Sequence, residues 1–152
     1  MDVRTATWEE DYDLIRLVRI TVFCREQSIP EELDFDGLDP ECKHVLAFTK
    51  SGEPIGTARM QKDGHLGRIA VLKEWRKHGV GKALVNSLIS VAKAEGLSQV
   101  YLNAQVHAVP FYEELGFMTE GKAFYEAGIE HYRMARKFAV GESIRIQGFE
   151  DH

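Results

Sequence analysis

The sequence predicts a mixed α/β domain of the α+β type, with a central, mostly antiparallel sheet flanked by helices. Three observations carry this. HVLAFT (44–49), PIGTARMQ (54–61) and HLGRIAVL (65–72) are strand-like apolar stretches joined only by short turns, the pattern of a three-stranded meander. The apolar spacing switches to helical at Gly81 and returns to strand-like at SQVYLNAQ (98–105). Two more strand candidates, GFMTEG (116–121) and HYRMARKF (131–138), close the chain's pattern. A meander ahead of the first helix–strand alternation is unlike a doubly wound fold.

The elements follow in order. Thr7 and Glu10 make a T-x-x-E capping box. Leu14, Ile15, Val18 and Val22 then recur at helical spacing, which predicts a helix from Trp8 to Cys24 with Cys24 in the core. Residues 28–41, SIPEELDFDGLDPE, are acidic and carry Pro30, Gly37 and Pro40, so a loop with one helical turn is expected. Within the meander, Asp63-Gly64 is the strongest hairpin signal. In the next helix Leu84, Val85, Leu88, Val91 and Ala92 share a face opposite Lys82, Asn86, Ser90 and Lys93, and Gly96 stops it. AVPFYEEL (108–115) reads as a short helix with Pro110 in its first turn, Phe111 and Leu115 facing the core, and Gly116 at its end. A loop joins the two closing strands. Residues 1–138 form the predicted single domain, and 139–152 a tail with only a weak alternation at Ile144 and Ile146.

Composition bounds the function. A chain of 152 residues suits one domain with a real core. No apolar run approaches the roughly 20 residues of a membrane helix, and the polar, acidic start MDVRTATWEEDYD is unlike a signal peptide. The expectation is a cytoplasmic protein with no membrane partner. Cys24 and Cys42 are too few for a disulfide framework, and the six histidines lack ligand spacing, so no metal is expected. The net charge of −5 argues against nucleic acid as a partner. Residues 1–42 hold 12 of the 24 acids against four arginines. That segment reads either as a solvated acidic surface or as a wall facing a cationic substrate.

WRKHGVGKAL (75–84) is the most informative stretch. Glycines leading into a helix start gather unpaired backbone N–H groups at the positive dipole end, which suits a phosphate. Arg76, Lys77, His78 and Lys82 add charge. The bland alternative is a helix start with a solvated basic cap. A Walker loop is excluded, because Arg76 stands where its first glycine belongs and Ala83 follows Lys82. A dinucleotide fingerprint is excluded too, since Gly79-Val80-Gly81 continues to Leu84 and residues 73–78 separate it from the preceding strand.

R-x-x-G-x-G after a strand ending in Val71-Leu72 resembles the pyrophosphate loop of the GNAT superfamily of acyl-CoA-dependent N-acyltransferases. RIAVLKEWRKHGVGKALV (68–85), YLNAQVHAVPFYEELGF (101–117) and RITVFCREQSIPEELDFDGLD (19–39) extend the resemblance, the last being similar to the small bacterial branch. The resemblance implies a sheet of about six or seven strands and acetyl-CoA as co-substrate. It implies that the backbone of Ile69, Ala70 and Val71 meets the pantetheine arm where the central strand splays from its neighbour. Arg76, Lys77, His78, Gly79, Val80, Gly81 and Lys82 would wrap the pyrophosphate, with Asn103 and Phe111 against the coenzyme. Asn103 reads equally as a structural asparagine. Tyr112 would donate to the departing thiolate, its bland alternative being a packed ring with the hydroxyl outward. Relatives often carry a glutamate where Gly67 stands, so the base is missing or supplied elsewhere. Glu26 is the first candidate, with His44 and His107 behind it, and Glu26 could equally pair with Arg19 or Arg25.

The resemblance thus predicts an acetyl-CoA-dependent N-acetyltransferase acting on a primary amine of a small molecule or a lysine side chain, by direct attack. The alternative is a non-catalytic acyl-CoA-binding sensor or scaffold, which the missing carboxylate at Gly67 would suit. The acceptor amine is not identified by the sequence. A homodimer is compatible with the resemblance.

Overall fold

The computed structural model describes residues 1–139, so the expectations for residues 140–152 fall outside the described residues. The described chain forms two compact units, Met1–Lys62 with Leu66–Leu88, and Asp63–His65 with the residues from Ile89 onward.

The first unit holds a four-stranded antiparallel sheet in the order β1 (Asp2–Ala6), β2 (Lys43–Phe48), β3 (Pro54–Met60), β4 (Leu66–Val71). The meander β2–β4 is the one expected, within a residue or two at each end. β1 was not expected. It pairs with β2 from Asp2↔Phe48 to Ala6↔His44, and its short, charged DVRTA sequence suits a sheet edge. The α1 helix (Trp8–Arg19) starts at Thr7, whose hydroxyl accepts from Glu10 N at 3.1 Å. The reciprocal half of the cap comes from Asp11 rather than Glu10. Its carboxylate accepts from Thr7 N at 3.1 Å and pairs with Arg4 at 2.9 Å.

The expected helix to Cys24 changes character at Ile20, where a π-helix runs from Ile20 to Glu26. Ile20, Thr21 and Val22 are β-branched, and the Thr21 hydroxyl bonds back to Leu17 O at 2.8 Å. Both features loosen an α-helix. Val22 is buried with Val18 of α1 and Ala70 of β4, and Phe23 and Leu72 pack against them. Cys24 is half-buried rather than core. The predicted turn in 28–41 is α2 (Glu31–Asp34), followed by a 3₁₀ turn at Asp39–Glu41.

Helix α3 (Val80–Ala94) begins in the first unit. Gly56 on β3 explains its close seat there. A Cβ at Gly56 would lie 2.9 Å from Val80 Cγ1 and 3.0 Å from Leu84 Cδ1, two buried residues of the helix's inner face.

The second unit has a three-stranded antiparallel sheet in the order β5 (Gln99–Gln105), β7 (Ile129–Lys137), β6 (Met118–Glu126), with α4 (Val109–Glu114) between β5 and β6 in sequence. The described residues hold seven strands, within the six or seven the resemblance implies, but hydrogen bonding divides them into sheets of four and three rather than one central sheet. The expected loop between the closing strands is instead a hairpin. β6 runs on to Glu126, and the chain turns at Ala127 (φ 53°) and Gly128 (φ 77°), the left-handed pair of a tight hairpin turn. Leu115 is buried as expected, but Phe111 is 39% exposed and so not core.

Asp63-Gly64-His65 docks on β5. Gly64 O accepts from Tyr101 N at 3.0 Å, His65 stacks on the Tyr101 ring, and the Tyr101 hydroxyl donates to Asp63. Gly64 has φ +96°, and an added Cβ would sit 2.7 Å from Gln99 O. Both strain and a backbone clash therefore oppose any side chain there. Gly64→Ala is expected to destabilise by about 2–4 kcal/mol, read as a lowered urea midpoint. An unchanged midpoint would show that the turn is not held this way.

Candidate active site

The candidate loop lies wholly in the first unit. β4 enters it through a bulge. Thr57↔Ala70 and Arg59↔Gly67 are register partners, so Arg68 and Ile69 face the single residue Ala58. Arg68 takes φ +48°, a conformation that non-glycine residues rarely adopt. Ile69, Ala70 and Val71 follow on the same strand, with Ala70 buried and Val71 part-exposed. A side chain at Gly67 would meet nothing within 4 Å, so its lack of a carboxylate is not forced by space.

From Leu72 to Gly79 the chain makes a 3₁₀ turn (Lys73–Trp75), then takes left-handed φ at Lys77 (66°) and Gly79 (82°). The first α3 bond runs from Ala83 N to Gly79 O at 3.0 Å. The N–H groups of Val80, Gly81 and Lys82 precede it and lack intrahelical acceptors, as in any first turn. The side chains of Lys77 and Lys82 are exposed and make no ion pair among the described residues, whereas Val80 is buried as packing. Open space surrounds the Cβ position of Gly79. His78 donates from Nδ1 to Arg76 O at 2.8 Å. Backbone donors, two free lysines and an unobstructed glycine are the equipment of an anion site.

Arg76 differs from the other loop cations. Its Nη1 and Nη2 donate to the two oxygens of Glu26 at 2.6 and 2.7 Å, and its Nε donates to Val71 O at 3.0 Å. The partner of Glu26 is thus neither Arg19 nor Arg25. The Arg76 hydrogen bond holds the Glu26 carboxyl below its usual range, which makes it a poorer base.

Arg19 belongs to a buried network that the sequence did not announce. Its Nε pairs with Asp34 at 3.0 Å and its Nη1 with Asp39 at 2.7 Å. Arg59 pairs with the same Asp39 oxygen at 2.9 Å and with Asp36 at 2.6 Å. Arg68 reaches Asp34 and Asp36, each at 3.1 Å. His44 joins through Nε2–H to Asp39 O at 2.9 Å, and its other ring nitrogen is buried without a partner. Burial pushes the His44 pKa down, and the ring stacks on Trp8, so His44 is packing rather than a base. Three acids of the 28–41 segment are therefore tied inward by arginines. They form neither the solvated face nor the acidic wall that the charge distribution suggested. The only sequence signal was the match in number of Asp34, Asp36 and Asp39 with Arg19, Arg59 and Arg68.

In the second unit, Tyr112 sits on α4 with its ring edge-on to Phe111 at 5.0 Å and to buried Phe117 at 5.8 Å. Its hydroxyl has no protein hydrogen-bond partner among the described residues, and burial pushes its pKa up to about 12. Asn103 is exposed on β5 opposite Arg133, Phe111 is exposed on α4, and His107 is exposed on the turn before it. Among the described residues, no cluster of His, Cys, Asp or Glu is placed to hold a metal, and no helix is long and apolar enough to cross a membrane.

The family model described as an acetyltransferase (GNAT) domain matches residues 15–138, and the chain belongs to the GNAT acetyltransferase family. Among its relatives, a Bacillus subtilis protein with a provisional acetyltransferase name is 39% identical over 143 residues, covering 90% of this chain and 97% of that one. The crystal structure of Escherichia coli ElaA matches with a TM-score of 0.78 and 27% identity, over 90% of this chain and 99% of that one. An aminoglycoside 6′-N-acetyltransferase complexed with coenzyme A has a TM-score of 0.73 over 90% of this chain and 97% of that one. At 17% identity it is a likeness of fold.

Proposed function

We propose that this chain is an acetyl-CoA-dependent N-acetyltransferase acting on a primary amine. The observation that carries the reading is the loop 72–79 at the start of α3, within a chain of this family. The residues present fit a diphosphate: the N–H groups of Val80, Gly81 and Lys82, the exposed Lys77 and Lys82, and the open Gly79. The bulged Arg68–Val71 segment would offer backbone groups to the amide-bearing arm. When bound, acetyl-CoA supplies the acetyl thioester that an amine attacks. Tyr112, the only phenol on α4, would donate a hydrogen bond to the sulfur as it leaves.

The amine must attack in its neutral form. A lysine-like amine has pKa ~10.4, so roughly one in 2,500 is neutral at pH 7. Among the described residues, the carboxyl groups that depart from their ordinary pKa are all lowered. Hydrogen bonding to Arg4, Arg76 and Arg59 lowers Asp11, Glu26 and Asp36, and Tyr101 lowers Asp63. At Asp39 burial works upward, but Arg19 and Arg59 outweigh it. The reading therefore takes the amine from its neutral fraction, with water carrying the proton away.

The test follows release of the coenzyme thiol with polyamines, aminoglycosides, lysine peptides and neutral amines as acceptors. For a reactive lysine-like amine, kcat/KM is expected to rise about tenfold per pH unit from 7 to 9, tracking the neutral fraction. A flat profile would point to a protein base. Binding without thiol release for every class would favour the sensor reading instead.

A further inference from the structure

Glu26 and Arg76 stand 50 residues apart in sequence, and their contact links two elements of the first unit. Glu26 ends the π-helix, which Val22 anchors beside Ala70 of β4, and Arg76 lies in the loop that leaves β4. We infer that Glu26 is a positioning residue acting through Arg76: the pair latches the π-helix to the exit of β4, and Arg76 is not a ligand of the bound diphosphate. The inference rests on the diphosphate reading of the loop.

Arginine can grip an oxyanion in bidentate fashion along the Nη1–Nη2 edge or along the Nε–Nη edge. Glu26 fills the first edge, with both of its oxygens within 2.7 Å of the guanidinium. Val71 O takes the Nε–H at 3.0 Å and so removes the second. Val71 is the last residue of β4, so this bond folds the loop back onto the end of its own strand. The pair's charges cancel. What remains positive toward an anion is Lys77, Lys82 and the N–H groups of 80–82. Glu26, held in this way, sets the loop's shape and takes no proton from the acceptor.

Coenzyme A would be titrated into the full chain, Glu26→Gln, Arg76→Gln, the double variant, Lys77→Gln and Lys82→Gln across a sodium chloride series. Acetyl transfer kinetics would be recorded alongside. Glu26→Gln and Arg76→Gln should each weaken coenzyme A by about fivefold, with the double variant no weaker than either single one. Both should raise KM for acetyl-CoA and leave the pH profile of kcat in place. The double variant, which removes both cancelling charges, should preserve the slope of log Kd against log salt, while the two lysine variants flatten it. A flattened slope in the double variant would make Arg76 a direct diphosphate ligand and overturn the inference. So would tighter binding by Glu26→Gln, or a fall in its kcat with KM unchanged and the pH profile displaced. If the unaltered chain binds no coenzyme A, the diphosphate reading fails by itself. The latch is then decided by melting temperatures, where losses that do not add support it and losses that add refute it.

Discussion

Tyr112→Phe is expected to lower kcat for acetyl transfer by about two orders of magnitude, while Kd for acetyl-CoA stays as it was. The substitution removes one oxygen. The ring keeps its edge-on contacts with Phe111 and Phe117, so α4 and the buried Phe117 retain their packing. The hydroxyl, in contrast, has no protein partner among the described residues whose loss could disturb the fold. Burial raises its pKa to about 12, and this refines the role expected from the sequence. A departing thiol resembles cysteine, with pKa ~8.5. Full proton transfer from the phenol to the thiolate is therefore uphill by roughly 3.5 pH units. The group suits a hydrogen bond that strengthens as charge develops on sulfur. It stays protonated throughout the ordinary working range, so Tyr112 should produce no alkaline limb in the pH profile below about pH 11. An unchanged kcat in the phenylalanine variant would remove Tyr112 from the chemistry.

Asp39→Ala is expected to cost about 3–5 kcal/mol of folding stability, a large share of the roughly 5–15 kcal/mol that a domain has. Asp39 is 1% exposed, and one of its oxygens takes Nη1 of both Arg19 and Arg59. Removing it leaves two buried guanidinium groups facing each other without their shared carboxylate. Asp34 and Asp36 still hold one edge of each, so collapse into a partly folded state is not required. Chemical denaturation should show a lowered midpoint with an unchanged slope. A loss below 1 kcal/mol would mean that water or a rearranged side chain compensates. The same cluster fixes a pH dependence. The pKa values of His44 and Asp39 are both lower in the folded state than in the unfolded chain. Each contributes stability that is present above the unfolded value and lost as pH falls. Weakening should therefore begin below about pH 6.5 through His44 and deepen below about pH 4 through the carboxylates.

What could be read in advance was local. The meander announced itself by short turns and by Asp63-Gly64, and the start of α3 by Gly79, Gly81 and the apolar spacing from Leu84. These signals depend on neighbours within a few residues. What escaped the sequence depends on distant partners. The β1 strand is polar at most positions, because only its pairing with β2 makes it a strand. The π-helix from Ile20 carries a helical apolar pattern, and its widening shows only in bonds such as Gln27 N to Val22 O at 3.2 Å. The hairpin at Ala127-Gly128 was hidden because Ala127 adopts a left-handed φ that alanine does not advertise. The candidate site divides the same way. The backbone proposed to hold the diphosphate was visible in the glycines. The partner of Glu26, 50 positions away, was not, and with it went the clue that Glu26 is held by an arginine.

The most direct test of the central claim is thermal stabilisation by acetyl-CoA, coenzyme A, ATP and NAD measured in parallel. A ligand at 100 times its Kd stabilises by ~2.7 kcal/mol, which moves a melting curve readably. The account predicts a shift with acetyl-CoA and coenzyme A, and none with ATP or NAD at the same concentration. No shift with either coenzyme, or an equal shift with all four, would contradict it.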